Sequence, residues 1–372
     1  MTLTPERHDA PKPKAGILDI APYVAGKAKA EGHANPLKLS ANENVLGCSP
    51  AATQAYLDAA ARLNMYPDGR SNGLREAVAA KFGLEPERLI FGCGSDEIFT
   101  LLAQTFLEPG DNAVQNEWGF FAYRIAIRAA QGQVRFAHQP DWRIDVDEML
   151  RQVDERTRIV FLDNPGNPTG AWIGRRDVER LHRGLPPDCL LLLDGAYAEF
   201  VEDAGWTDGL GMARDAANIV CTRTFSKIHG LAGLRVGWAY APEPVISAMD
   251  RIRAPFNVNL PAQEALGAAL DDDAFVERSR ALVREERPKL DAAIRSLSNA
   301  LVTYPGQGNF VLVRFSEEPG RTAMEAEAFL SARGVLVRGL ANYGMKDSLR
   351  ITVGLPEQNA AVVEALRAFL AG

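Results

Sequence analysis

The chain is poor in cysteine and histidine, and neither residue type falls into a pattern. Its four cysteines, Cys48, Cys93, Cys189 and Cys221, lack the paired spacing of a disulfide framework or a zinc site. They are expected to be reduced and buried or half-buried, as in the cytoplasm. The five histidines, His8, His33, His138, His182 and His229, form no ligand motif, and no metal is expected. A net charge of −7 leaves no basic footprint for nucleic acid. No apolar stretch approaches a bilayer span, and the N-terminus, with Lys12-Pro-Lys14 and no apolar block, does not read as a signal peptide. Nucleotide loops are missing too. Glu97 stands where a dinucleotide fingerprint beginning at Gly92-x-Gly94 needs its third glycine, and no Gly-Lys-Ser/Thr phosphate loop occurs.

What is present is text for a large α/β enzyme. With 372 residues, 47% of them hydrophobic, the chain can bury an extensive core and is expected to divide into two domains. Strands and amphipathic helices alternate from about residue 74 to 240, which predicts a doubly wound, mainly parallel sheet. The strand candidates are 88–91, 112–115, 133–137, 158–162, 189–193, 218–222 and 236–240. After about residue 260 the pattern predicts a smaller α/β domain. It holds helical text over 273–298 interrupted near Pro288, strands at 309–315, 335–338 and 348–353, and a last helix. The expected organisation is an N-terminal arm (1–45), a large domain (46–262) and a small C-terminal domain (263–372) completed by part of the arm. The first fifteen residues are expected to be mobile.

Four segments carry chemistry. In Thr222-Arg-Thr-Phe-Ser-Lys-Ile-His-Gly-Leu-Ala-Gly-Leu-Arg235, Lys227 lies among hydroxyls and glycines with an arginine downstream. A buried amine has a lowered pKa and can form a Schiff base with a carbonyl cofactor, which points to pyridoxal phosphate (PLP). The alternative is a surface lysine in a glycine-rich loop. Upstream, Leu190-Leu-Leu-Leu193 is a doubly buried strand ending at Asp194, followed by Tyr197. There Asp194 can face a pyridine nitrogen or cap the next turn. Asn164-Pro-Gly-Asn-Pro-Thr-Gly170 is a rigid turn that fixes Asn167, or simply a tight loop. Finally, Arg88–Phe91, the turn Gly92-Cys-Gly94 and the helix opening at Ser95-Asp96 form a strand-turn-helix unit suited to a phosphate. The Asp96 carboxylate would repel that anion, so only its backbone N–H is assigned there and its side chain to capping.

In this order the segments resemble the fold-type I, aspartate aminotransferase-like PLP enzymes over nearly the whole chain. The resemblance implies that Lys227 carries the cofactor and shuttles the substrate proton. It places Asp194 on the pyridine nitrogen, Asn167 and Tyr197 on the phenolic oxygen, and Arg235, Ser226 and Thr224 with Gly94, Ser95 and Asp96 on the phosphate. His229 is read as a structural neighbour rather than a catalytic acid.

Pro22-Tyr-Val-Ala-Gly-Lys27, Leu37-Lys-Leu-Ser-Ala-Asn-Glu-Asn-Val-Leu-Gly47 and Met65-Tyr-Pro-Asp-Gly69 look like the opening motifs of histidinol-phosphate aminotransferases. That resemblance implies a homodimer in which Tyr66 reaches the partner's cofactor phosphate, with Tyr23 and Asn42 at the substrate. It also assigns Arg338 and Arg350 to the substrate phosphate. Both arginines stand at or inside apolar strands, where an unpaired guanidinium is costly, so an anionic ligand or a local carboxylate must answer them. Two positions depart from the family pattern. Trp118-Gly119-Phe120 replaces Pro-Thr-Tyr before the stacking ring, which puts Phe120, or alternatively Trp118, over the cofactor. Gly195 stands where glutamate is common. The expected activity is transamination of histidinol phosphate with 2-oxoglutarate in histidine biosynthesis. The alternatives are an aromatic amino-acid aminotransferase, a phosphothreonine decarboxylase and a PLP-binding regulatory domain.

Overall fold

The computed structural model describes residues 12–372. Most of the segment expected to be mobile, residues 1–11 with His8, lies outside the described residues.

The arm contributes one short strand, β1 (Leu37–Lys38). The main sheet follows, from β2 (Leu89–Gly92), β3 (Asn112–Asn116), β4 (Gln133–Ala137), β5 (Thr157–Asp163), β6 (Leu190–Asp194), β7 (Ile219–Thr224) and β8 (Gly237–Tyr240). Their order is β2-β8-β7-β6-β5-β3-β4, and only β8 runs against its neighbours.

The continuous apolar text of the central strands follows from burial on both faces. Ile159 and Phe161 on β5, with Leu190 and Leu192 on β6, pack against Phe99, Tyr123 and Ile127 from the helices Ser95–Phe106 and Phe121–Ala129. Val160, Leu162, Leu191 and Leu193 turn the other way, onto Val178, Leu181 and Leu266. Truncating the fully buried Phe161 to alanine would cost about 3–5 kcal/mol, enough to endanger the layer.

This winding also locates the site. After β4 the chain returns to the far side of β3, and open α/β sheets bind ligands outside the carboxyl ends of their strands near such a reversal. Here those ends are Asp163, Asp194 and Thr224.

A second sheet contains β9 (Val302–Thr303), β10 (Phe310–Arg314), β12 (Arg338–Leu340) and β13 (Met345–Thr352), ordered β12-β13-β10-β9 and antiparallel throughout. The intervening β11 (Val335–Leu336) instead pairs in parallel with β1. Thr352 N donates to Leu39 O at 2.9 Å, and Leu39 is buried with Val313, Leu349 and Ile351.

Two expectations are corrected. The strand read over 335–338 breaks at the buried Val337, because its first half is drawn to the arm and its second half to β13. The helix Asp273–Leu297 runs through Pro288 without interruption. Pro288 is exposed, while Leu290 and Ile294 on the opposite face are packed with Val311, Val313 and Ile351 of the second sheet. That burial outweighs the one backbone hydrogen bond proline removes.

Candidate active site

A cavity of about 510 Å³ opens at the carboxyl ends of β5, β6 and β7 and is closed on its other side by the arm, β12 and β13. Lys227 enters it from the turn after β7, where its Nζ donates to Ala41 O at 3.2 Å. Burial, and next the Arg350 guanidinium, lower its pKa to about 8. A useful fraction of the amine is therefore unprotonated near neutrality and can attack an aldehyde.

Asp194 closes β6, 4% exposed. Its Oδ2 accepts from the Tyr123 hydroxyl at 2.6 Å, and its Oδ1 accepts from the Thr222 hydroxyl and Ala196 N, both at 3.1 Å. Burial still pushes this carboxyl up against all three bonds. A cation set beside it would oppose that shift, and a protonated pyridine nitrogen supplies one. Tyr197 also lines the cavity, and its hydroxyl accepts from Asn42 Nδ2 at 2.8 Å. Asn167 projects from the turn after β5, and its Oδ1 accepts from Arg350.

The anion cup forms where β2 meets the helix Ser95–Phe106. Gly94 adopts φ +78°, and a Cβ there would lie 2.5 Å from Arg235 Nη2, so glycine is needed for the close approach. Arg235 Nη1 donates to Ser226 Oγ at 3.2 Å. Thr224, Ser226, Ser95 and Asp96 share this wall. A guanidinium facing a helix N-terminus and hydroxyls suits a phosphate. The expected capping role of Asp96 is corrected: Gly94 occupies the N-cap, and the Asp96 carboxylate pairs with Arg235 Nη2 at 3.1 Å. The uncompensated guanidinium attracts it more strongly than the backbone N–H groups do.

Across the cavity, Arg338 and Arg350 are direct cross-strand partners on β12 and β13, each 6% exposed. Like charges placed opposite each other destabilise a strand pair. Among the described residues neither guanidinium has a carboxylate within 4.0 Å, which removes the local ion-pair alternative. Arg338 Nη2 donates to Val24 O at 2.5 Å, Arg350 Nη2 donates to Ser40 O at 2.9 Å, and Arg350 Nε is buried without a partner among the described residues. The half-exposed ring of Tyr23 lines the opening with the Arg338 guanidinium 5.8 Å from its centre.

Several residues stand elsewhere. Asn42 is buried behind the wall, holding Tyr197 rather than lining the cavity. Tyr66 is 81% exposed, outside the cavity, and stacked on Phe256 at 4.7 Å. His229 is also outside it, packed on Phe225 at 5.1 Å with its pKa lowered by burial to about 4. Phe120 lines the cavity, whereas Trp118 packs with Leu340, Tyr343 and Met345. Cys93 is exposed, against expectation, because its turn lies on the surface above the helix start. Gly195 has a steric reason: a Cβ there would fall 1.7 Å from Arg223 Nη1, and that buried guanidinium bridges Asp208 at 3.0 Å and Glu199 at 3.6 Å.

Sequence reasoning missed Asp163, Tyr123 and Thr222. Only Asp163, a carboxylate ending an apolar strand just as Asp194 does, carried a signal that could have found it.

These donors fit PLP: a buried acid for the ring nitrogen, hydroxyl and amide groups for its phenolic oxygen, a cup for its phosphate and a low-pKa lysine for its aldehyde.

Comparisons with known proteins agree. The family model "Aminotransferase class I and II" matches residues 34–366. Histidinol-phosphate aminotransferase 1 of Caulobacter vibrioides is 57% identical over 96% of this chain and 99% of its own length. The histidinol-phosphate aminotransferase of Maricaulis maris is 46% identical over 96% and 99%. The crystal structure of the Sinorhizobium meliloti histidinol-phosphate aminotransferase in complex with pyridoxal-5'-phosphate superposes with a TM-score of 0.89 at 25% identity, covering 97% of this chain and 98% of that one. The chain belongs to the class I and II aminotransferases and, within them, to the histidinol-phosphate aminotransferase family.

Proposed function

We propose that the chain transfers the amino group of histidinol phosphate to 2-oxoglutarate, forming imidazole acetol phosphate and glutamate. The observation that carries this is the opposed Arg338–Arg350 pair, facing the same cavity as Lys227 with no carboxylate partner among the described residues. Two adjacent guanidiniums suit a dianionic phosphate, or the carboxylates of 2-oxoglutarate, better than an uncharged aromatic side chain.

When bound, PLP supplies an electron sink that makes the α-hydrogen of the amine substrate acidic. The chain's own residues do the rest. Lys227 Nζ would hold the cofactor's aldehyde and, once freed, would be the base that moves the substrate's α-proton. Asp194, held by Tyr123 and Thr222, keeps the ring nitrogen protonated. Gly94, Ser95, Thr224, Ser226 and Arg235 hold the cofactor phosphate, and Phe120 covers the ring face. Asn167 and Tyr197 steady the phenolic oxygen. Tyr23 closes the opening over the substrate and limits water entry. The active unit is a homodimer working in the cytoplasm, and the exposed stack of Tyr66 on Phe256 supports a surface covered by a second copy.

The test is to load the enzyme with PLP and rank half-reaction rates for histidinol phosphate, phenylalanine, tyrosine and phosphothreonine. The fastest bleaching of the visible band is expected with histidinol phosphate. A preference for phenylalanine with negligible histidinol-phosphate turnover would refute the assignment, and carbon dioxide release from phosphothreonine would replace it.

A further inference from the structure

Asp163 has no place in the chemistry described so far, yet it lines the cavity and is 4% exposed. It ends β5 in register with Asp194 at the end of β6, so two buried carboxylates lie side by side. Stability alone does not favour that placement, because each desolvates the other and like charges repel across strands. Its single atom Oδ2 accepts from two backbone groups, Asn167 N at 2.9 Å and Phe120 N at 3.2 Å. The first belongs to the turn presenting the Asn167 amide. The second opens the helix Phe121–Ala129, whose N-cap residue Phe120 has no side-chain cap of its own, and a carboxylate at a helix N-terminus is favourably placed.

We propose that Asp163 is a positioning residue, which ties the loop carrying the stacking ring of Phe120 to the turn carrying Asn167 through one carboxylate oxygen. Phe120 and Asn167 approach the cofactor from different loops, one over its face and one at its edge. A shared acceptor sets them at a constant spacing. Burial raises the Asp163 pKa to about 7 against the pull of both N–H groups, so little folding stability is gained from the anion. The residue acts when the cofactor ring fills the space between the two loops.

This rests on the PLP assignment, which is read separately from the parent chain: no visible band after adding PLP would sink that assignment and leave Asp163 aside. The variants are D163N, which keeps one oxygen able to accept both N–H groups, and D163L, similar in size with no acceptor. Three quantities are measured: melting of the cofactor-free protein, the PLP dissociation constant, and induced circular dichroism of the bound cofactor. D163L is expected to melt close to the parent, bind PLP about tenfold more weakly and show weakened dichroism. D163N is expected within about threefold of the parent in affinity, with parent-like dichroism. Parent-like affinity and dichroism in D163L, or equal loss in both variants, would overturn the proposal. If D163L does not fold, D163S replaces it, since the shorter hydroxyl cannot serve both amides; parent-like dichroism in D163S would overturn the proposal equally.

Discussion

Replacing Arg350 by leucine separates a ligand-binding guanidinium from a structural one. In the folded chain Arg350 donates to Asn167 Oδ1 and Ser40 O, leaves Nε buried without a partner among the described residues, and faces Arg338 across the strands. Losing the two neutral-acceptor bonds costs about 1 kcal/mol each. Against that, removing an unsatisfied buried donor recovers about 1–3 kcal/mol, and the like-charge opposition disappears. The two sides nearly cancel, so the cofactor-free variant should melt within a few degrees of the parent. Substrate binding has no such offset. A charge-assisted, partly buried contact to phosphate or carboxylate is worth about 2–5 kcal/mol, which is roughly 30- to 4,000-fold in affinity. Single-turnover assays with histidinol phosphate and glutamate, beside calorimetric melting, measure both quantities. A large drop in melting temperature with unchanged substrate affinity would refute the reasoning, because it would show a guanidinium that serves the fold.

Three further outcomes follow from the geometry. Lys227 has a folded pKa near 8 and an ordinary value of 10.5, so between those limits the unfolded chain holds more protons than the folded one. Cofactor-free protein should therefore gain stability as pH rises from about 8 to 10.5, and K227M should flatten that rise in pH-dependent urea melts. Removing the 2.6 Å bond to Asp194 with Y123F should weaken PLP binding about tenfold with little loss of cofactor-free stability, measured by equilibrium titration; unchanged affinity would mean that Tyr123 does not support Asp194. G195A should lower stability by about 1–3 kcal/mol, because its Cβ would displace the Arg223 guanidinium from Asp208 and Glu199. A parent-like denaturant midpoint would contradict that steric account.

The main sheet was readable because its central strands β5 and β6 are apolar on both faces and the rest alternate with helices, and no strand end differs by more than two residues between expectation and structure. The long helix was read less well, since Pro288 is a strong local signal and the burial of Leu290 and Ile294 that overrides it is tertiary. At the site, local motifs singled out Lys227, Asp194, Tyr197, Asn167 and Arg235, and the structure brings all five to one cavity. Asn42 was placed at the substrate through resemblance, yet it is buried behind the cavity wall and supports Tyr197, while Tyr66, assigned to the partner's cofactor phosphate, stands exposed on this chain's surface.

The sequence by itself determined the cofactor chemistry and the sheet that presents it. A Schiff-base lysine, a strand ending in aspartate and a proline-bound asparagine turn are each written within a few residues, as is the alternation of strand and helix. What only the tertiary structure decided were relations between distant segments. Arg338 stands opposite Arg350 because β12 and β13 pair in that register, and among the described residues no carboxylate is folded against either. Arg223 needs Gly195 bare, and Asp163 joins Phe120 to Asn167. Such contacts depend on desolvation and on distances of about 3 Å between elements far apart in the chain, and local sequence encodes neither.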